Sequence, residues 1–173
     1  MRRAACFLSI AGVALAPAAA SAAAARDLSG FLGGFETECS GSKDFVRYMS
    51  SLGEKYTSSG DLSRPVFVPE AFRDSIGEEK VADKGEYVDI SVPLQGIYRG
   101  LPVSRLDFWL GNENGIHAVA ITFDAPVATV QSKLGAKVAG ARKTLATKFP
   151  DGAPSIDILP EKGGARLLCD LSD

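Results

Sequence analysis

The chain has 173 residues, 19 of them basic and 21 acidic, with one histidine and three cysteines. So even a charge balance gives no electrostatic footprint for nucleic acid or for an anionic membrane surface. A single histidine also leaves an ordinary structural zinc site short of ligands, and the length suits one domain with a real core.

The first 22 residues read as a cleaved secretory signal. Arg2 and Arg3 form a positive start, Ala4 to Ala16 is uncharged and apolar, Pro17 breaks the run, and Ala20-Ser21-Ala22 is an A-x-A cleavage pattern. The apolar run of about 13 residues is too short for a membrane span, which needs about 20. No transmembrane segment is expected after cleavage. Removing Arg2 and Arg3 takes the net charge from −2 to −4. The expected location is periplasmic or secreted, and the richness in alanine, glycine and arginine fits a bacterial periplasm.

Cys6 leaves with the signal, so Cys39 and Cys169 remain as an even pair in an oxidising compartment. A structural disulfide is the expectation. A reactive redox pair would want closely spaced cysteines such as C-x-x-C, and there is none. Residues 23–38 are rich in alanine and glycine and read as a flexible lead-in, which makes residues 39–173 one globular domain.

Phe45, Tyr48, Met49 and Leu52 then repeat at helical spacing. Ser42 is placed to cap that helix, Asp44 complements its positive end and Gly53 suits its stop. Thr57 to Ser63 is a polar loop, and Pro69 to Gly77 predicts a short helix.

From Glu86 to Asp124 the period becomes two. A three-residue turn at Arg99-Gly100-Leu101 would set Leu94 opposite Leu106, Val92 opposite Phe108 and Ile90 opposite Leu110. A four-residue loop from Gly111 to Asn114 would set Phe108 opposite His117, Leu106 opposite Val119 and Ser104 opposite Ile121. One apolar face thus runs across three antiparallel strands. The other face carries Asp89, Ser91, Arg105, Asp107, Trp109, Ala118, Ala120 and Thr122 and reads as partly wet.

Pro126 opens a long helix whose stripe is Val127, Val130, Leu134, Val138, Ala141, Leu145 and Phe149. Its basic residues, Lys133, Lys137, Arg142, Lys143 and Lys148, spread around the helix as a solvated face. Pro150-Asp151-Gly152 ends it. Strands at Ser155–Leu159 and Ala165–Leu171 follow, joined by a turn at residues 161–164. The expected fold is therefore α+β: a three-strand antiparallel meander plus two C-terminal strands, with one long and one or two short helices on one face.

Motifs that carry chemistry are absent from the pattern. No serine or cysteine sits in a nucleophile elbow, and the glycines at 33–34 and 163–164 do not open a phosphate-binding helix. Asn112, Glu113 and Asn114 are too few for a calcium loop. His117 reads as a half-buried structural histidine, and no cofactor or metal is expected. The candidate interaction surface is Arg105, Asp107 and Trp109 beside the small Ala118 and Ala120, with Tyr98 and Arg99 at the adjoining turn and His117 nearby. Large aromatic and arginine side chains beside small residues suit a partner surface. The leading expectation is a non-catalytic exported domain that binds another exported or envelope protein, either inhibitor-like or as an envelope-assembly accessory. The alternative is a small-molecule or lipid carrier with a cavity between sheet and long helix. A hydrolase comes third.

Overall fold

A computed structural model describes residues 25–57, 60–112, 115–150 and 154–172. The expected signal, residues 1–22, lies outside them, as do Glu113, Asn114 and residues 151–153 of two expected turns.

Six strands form one antiparallel sheet: β1 (Lys80–Asp83), β2 (Tyr87–Tyr98), β3 (Leu101–Gly111), β4 (His117–Phe123), β5 (Ser155–Glu161) and β6 (Gly164–Asp170). The spatial order is β1-β2-β3-β4-β6-β5, so the final strand is inserted beside β4 and its predecessor takes the edge. Among the described residues four α-helices accompany it: α1 (Ser29–Leu32), α2 (Phe35–Glu38), α3 (Lys43–Tyr56) and α4 (Val127–Lys148). The fold is α+β.

α3 forms where its stripe and cap predict it. Ser42 Oγ accepts from the Phe45 N–H at 3.2 Å, and Phe45, Tyr48 and Leu52 are buried. It runs on past Gly53 to Tyr56, because its end is closed by Thr57, whose N–H and hydroxyl both donate to the Gly53 carbonyl. The short helix expected from Pro69 is a 3₁₀ turn over Glu70–Ser75. β1 had no clear sequence pattern, since all four of its residues are exposed.

The meander keeps the expected faces but shifts both registers by two residues. Val92 lies opposite Leu106, Ile90 opposite Phe108 and Val88 opposite Leu110. The turn is only Arg99-Gly100, both with positive φ (52° and 72°), the geometry of a two-residue hairpin. Such a turn alone would put Val92 opposite Asp107. A bulge after Pro93, with Leu94 and Gln95 facing Ser104, restores the phase. In the second hairpin Leu110 faces His117, Phe108 faces Val119 and Leu106 faces Ile121. The Gly111 N–H reaches the Ile116 carbonyl at 2.6 Å, so this loop is longer than expected.

The apolar sheet face extends through β6 and β5, where Val119 pairs with Cys169 and Cys169 with Ile156. α4 covers this end with Val130, Leu134, Val138 and Ala141. Val92, Leu106, Phe108, Leu134 and Val138 are all at most 3% exposed, and Phe108 packs against Phe45 and Tyr48 of α3, so side chains fill the layer between the sheet and its helices.

Residues 23–38 are not a loose lead-in where they are described. Leu28, Phe31, Leu32 and Phe35 are each 0% exposed. Phe31 packs edge-on against Phe45 at 5.3 Å and stacks on Phe72 at 5.1 Å. The backbone of Arg26 and Leu28 pairs with Ile97 through two 2.8 Å hydrogen bonds. The globular fold therefore begins before Cys39, and the alanine-rich stretch ahead of these aromatics disguised them.

The segment is then locked by a disulfide from Cys39 to Cys169, with Cα atoms 5.5 Å apart and a sequence separation of 130. In the chain-entropy model a loop of that length stabilises by about 5 kcal/mol. We expect neither Cys39 nor Cys169 to react as a free thiol in the folded protein, and urea unfolding of a Cys39→Ser, Cys169→Ser variant should show a loss of about that size. Phe31→Ala should cost about 3–5 kcal/mol in the same assay. A wild-type midpoint for Phe31→Ala would return residues 25–38 to the status of a lead-in.

Candidate functional site

Strand alternation sends every second residue to the side of the sheet away from the helices. On β3 these are Arg105, Asp107 and Trp109; on β4, Ala118, Ala120 and Thr122; on β6, Arg166, Leu168 and Asp170. Among the described residues the helices bury their stripes on the other side, so this face has no second layer.

Its charged side chains instead pair with one another, although Arg166 Nε is buried without a hydrogen-bond partner. Arg105 Nε lies 2.8 Å from the Asp107 carboxylate, and the Thr122 hydroxyl donates to that carboxylate at 3.5 Å. Arg166 Nη2 is 2.5 Å from Glu161 and 3.9 Å from Asp107, while Arg105 lies 4.0 Å from Glu161. Two acids and two guanidiniums thus alternate around a ring. The guanidinium of Arg166 reaches diagonally across β4 to sit 5.5 Å from the Trp109 ring centre. Ala118 and Ala120 are small enough to let both side chains lie flat. That is why Ala120 is fully buried on a face with no covering layer, and why Asp107 is only 4% exposed. The basic tips stand outermost, with the Arg105 side chain 36% exposed against 6% for Asp107.

The six candidate residues fall in three places. Arg105, Asp107 and Trp109 come together as expected. Tyr98 does not join them: it is fully buried on the helix side, and Arg99 turns the same way. His117 begins β4 on the helix side opposite Leu110. Its backbone N–H donates to Ser172 Oγ at 3.0 Å and its carbonyl accepts from the Leu171 N–H at 2.7 Å.

Tyr98 and Arg99 belong to a site that sequence reasoning missed. Glu36, on α2, is fully buried. Its carboxylate accepts from the Tyr98 hydroxyl, from Lys137 Nζ at 3.0 Å and from Arg99 Nε at 2.8 Å. Burial pushes the Glu36 carboxyl up, but Tyr98, Lys137, a backbone amide and Arg99 together outweigh it and hold the group below its ordinary 4.5. Burial, and then the bond to Glu36, push the Tyr98 hydroxyl up. The sequence offers only Glu36 and Glu38 after a short apolar run, and the partners of Glu36 lie about 60 to 100 residues away. All of its capacity is spent on clasping α2, the β2–β3 turn and α4 together.

Both sheet edges are blunted. On β5 the Ile156 carbonyl accepts from Arg142 Nε at 3.3 Å, Arg142 also pairs with Asp157, and Pro160 has no N–H to offer. β1 is only four residues long and carries Lys80 and Asp83. Among the described residues no group of three histidine, cysteine, aspartate or glutamate side chains is placed to hold a metal ion. No protein-family model matches this chain, and no curated protein or solved structure matches it either.

The clasp has a measurable pH signature. A carboxyl held low in the folded state contributes stability that is present above its ordinary value and lost as pH falls below it. Glu36→Gln should therefore cost about 2–3 kcal/mol at pH 7. It should also unfold with a shallower loss of stability between pH 5 and 3 than the wild type. Urea titrations at those pH values decide it, and parallel curves would show that the clasp is not ionic.

Proposed function

We propose that this chain is an exported, non-catalytic domain that binds another exported or envelope protein through the uncovered face of its sheet, as an inhibitor or an envelope-assembly accessory does. One observation carries the reading. The face opposite the helices presents Trp109 and two guanidiniums, partly exposed, on a floor kept flat by Ala118 and Ala120. Aromatic and arginine side chains in a fixed, prepaired arrangement bind at little cost in conformational entropy.

The blunted edges favour docking on the face over strand addition. The disulfide fits an oxidising compartment. Among the described residues no helix is long and apolar enough to cross a membrane. The filled layer between the sheet and its helices favours a binder over a carrier.

The test is affinity capture from a native periplasmic or secretory extract with residues 23–173 as bait. A partner should be recovered reproducibly and lost with Trp109→Ala plus Arg105→Ala, while the bait's own melting temperature moves by only a few degrees. Capture that survives both substitutions, or no capture at all, overturns the reading.

A further inference from the structure

Glu36 holds two cations where one would balance it. Lys137 Nζ and Arg99 Nε lie 3.0 and 2.8 Å from the same carboxylate oxygen, Oε1, so the two positive groups sit side by side. Their side chains are 49% and 38% exposed, against 1% for Glu36. The carboxylate therefore lies beneath, and the cations stand between it and water. Each keeps donors that Glu36 does not use, since a guanidinium has five N–H groups and an ammonium three.

Lys133 joins them. It precedes Lys137 by one turn of α4, on the same side of the helix. Its Nζ donates to the Gly100 carbonyl at 2.7 Å, on the turn residue next to Arg99. A Cβ built on Gly100 would meet that nitrogen at 3.0 Å, so the ammonium lies close against the turn. Three cations are thus fixed around Arg99-Gly100 by bonds to the fold itself. Set against Glu36 and the exposed Asp27, whose carboxylate accepts from the Ser29 N–H at 2.9 Å and feels the charge of Arg99, they leave positive charge over.

The arginine also stands in a costly place. Its φ of 52° is left-handed, at the first position of a two-residue hairpin turn. Asparagine, aspartate and glycine take that position with least strain. Lys137 alone would balance Glu36, so the strained arginine supplies a charge beyond what the clasp uses. Strain of this kind is held where a side chain is needed in one fixed place.

We infer that the Arg99-Gly100 turn and α4 together bind a phosphate group. Its oxygens accept hydrogen bonds from the Arg99 guanidinium and from Nζ of Lys133 and Lys137, above the Glu36 carboxylate. Donors on three separate side chains suit the several oxygens of a tetrahedral phosphate, whereas a carboxylate offers only two. A phosphate monoester also carries about −1.5 to −2 charge at neutral pH, which answers the local excess. The site lies on the helix side of the sheet, so it is independent of the face proposed to bind a protein.

The test is an NMR titration of the isotopically labelled protein with inorganic phosphate at constant ionic strength. The backbone amides of Arg99 and Gly100 and the side-chain ends of Lys133 and Lys137 should shift together and saturate. Acetate should bind at least tenfold more weakly. Lys133→Gln, which leaves the Glu36 clasp intact, should weaken phosphate binding at least tenfold while the melting temperature moves by only a few degrees. Arg99→Asn, which suits the left-handed turn, should weaken it as much. Phosphatidylcholine vesicles containing phosphatidate identify the source of the group. Co-sedimentation that is lost in Lys133→Gln assigns the phosphate to a lipid head group, and saturable phosphate binding without co-sedimentation assigns it to a soluble ligand. The inference falls if neither phosphate nor the vesicles bind saturably, or if acetate binds as tightly as phosphate. It also falls if Lys133→Gln binds like the wild type.

Discussion

Residues 28–39 cannot hold a structure by themselves. Helices of four residues form almost none of the internal hydrogen bonds that sustain longer ones, so the place of α1 and α2 is set by what they bury. They bury a great deal. Four apolar side chains enter the core, Glu36 gathers Tyr98, Arg99 and Lys137, and Cys39 is bonded to the innermost strand of the C-terminal half. One short segment thereby touches the aromatic layer of α3, the β2–β3 turn, α4 and β6. The left-handed backbone of Arg99 fits the same logic. A non-glycine residue at positive φ is costly, and here that conformation aims a guanidinium at a buried carboxylate.

How far the sequence could be read follows from the range of each interaction. The stripes of α3 and α4 are local patterns, and both helices form as their spacing predicts. The meander was legible by face and not by register. A two-residue slip moves every pair along the strand yet returns each side chain to the same side, so Ile90, Val92, Leu106 and Phe108 reach the core under either pairing. What fixes the actual pairing is a left-handed arginine and a bulge next to a proline. Neither has a periodic signature. The N-terminal segment was misread because two single turns of helix produce no stripe, and the preceding alanines set the apparent character of the region.

The candidate surface shows the same division. Arg105, Asp107 and Trp109 alternate along one strand, so their shared face was visible in the sequence. That Arg166 and Glu161 complete the ring depends on β6 lying next to β4, and strand order is not written in local spacing. Tyr98 and Arg99 were assigned by their nearness in the chain to that strand. Beyond the bulge, however, the hairpin end belongs to Glu36, and a buried charge governs its neighbours more strongly than sequence proximity does.

The interior position of β6 has a consequence in time. Residues 164–170 are made after every other strand and helix, yet they fill a central place in the sheet. Until they arrive, β4 has a bare edge, Val119 and Ile121 lack half their neighbours, and Cys39 has nothing to pair with. Contacts this distant in sequence also form slowly. The sheet therefore cannot close around β4 until the last of the described strands has been made, however early the helices and the meander form.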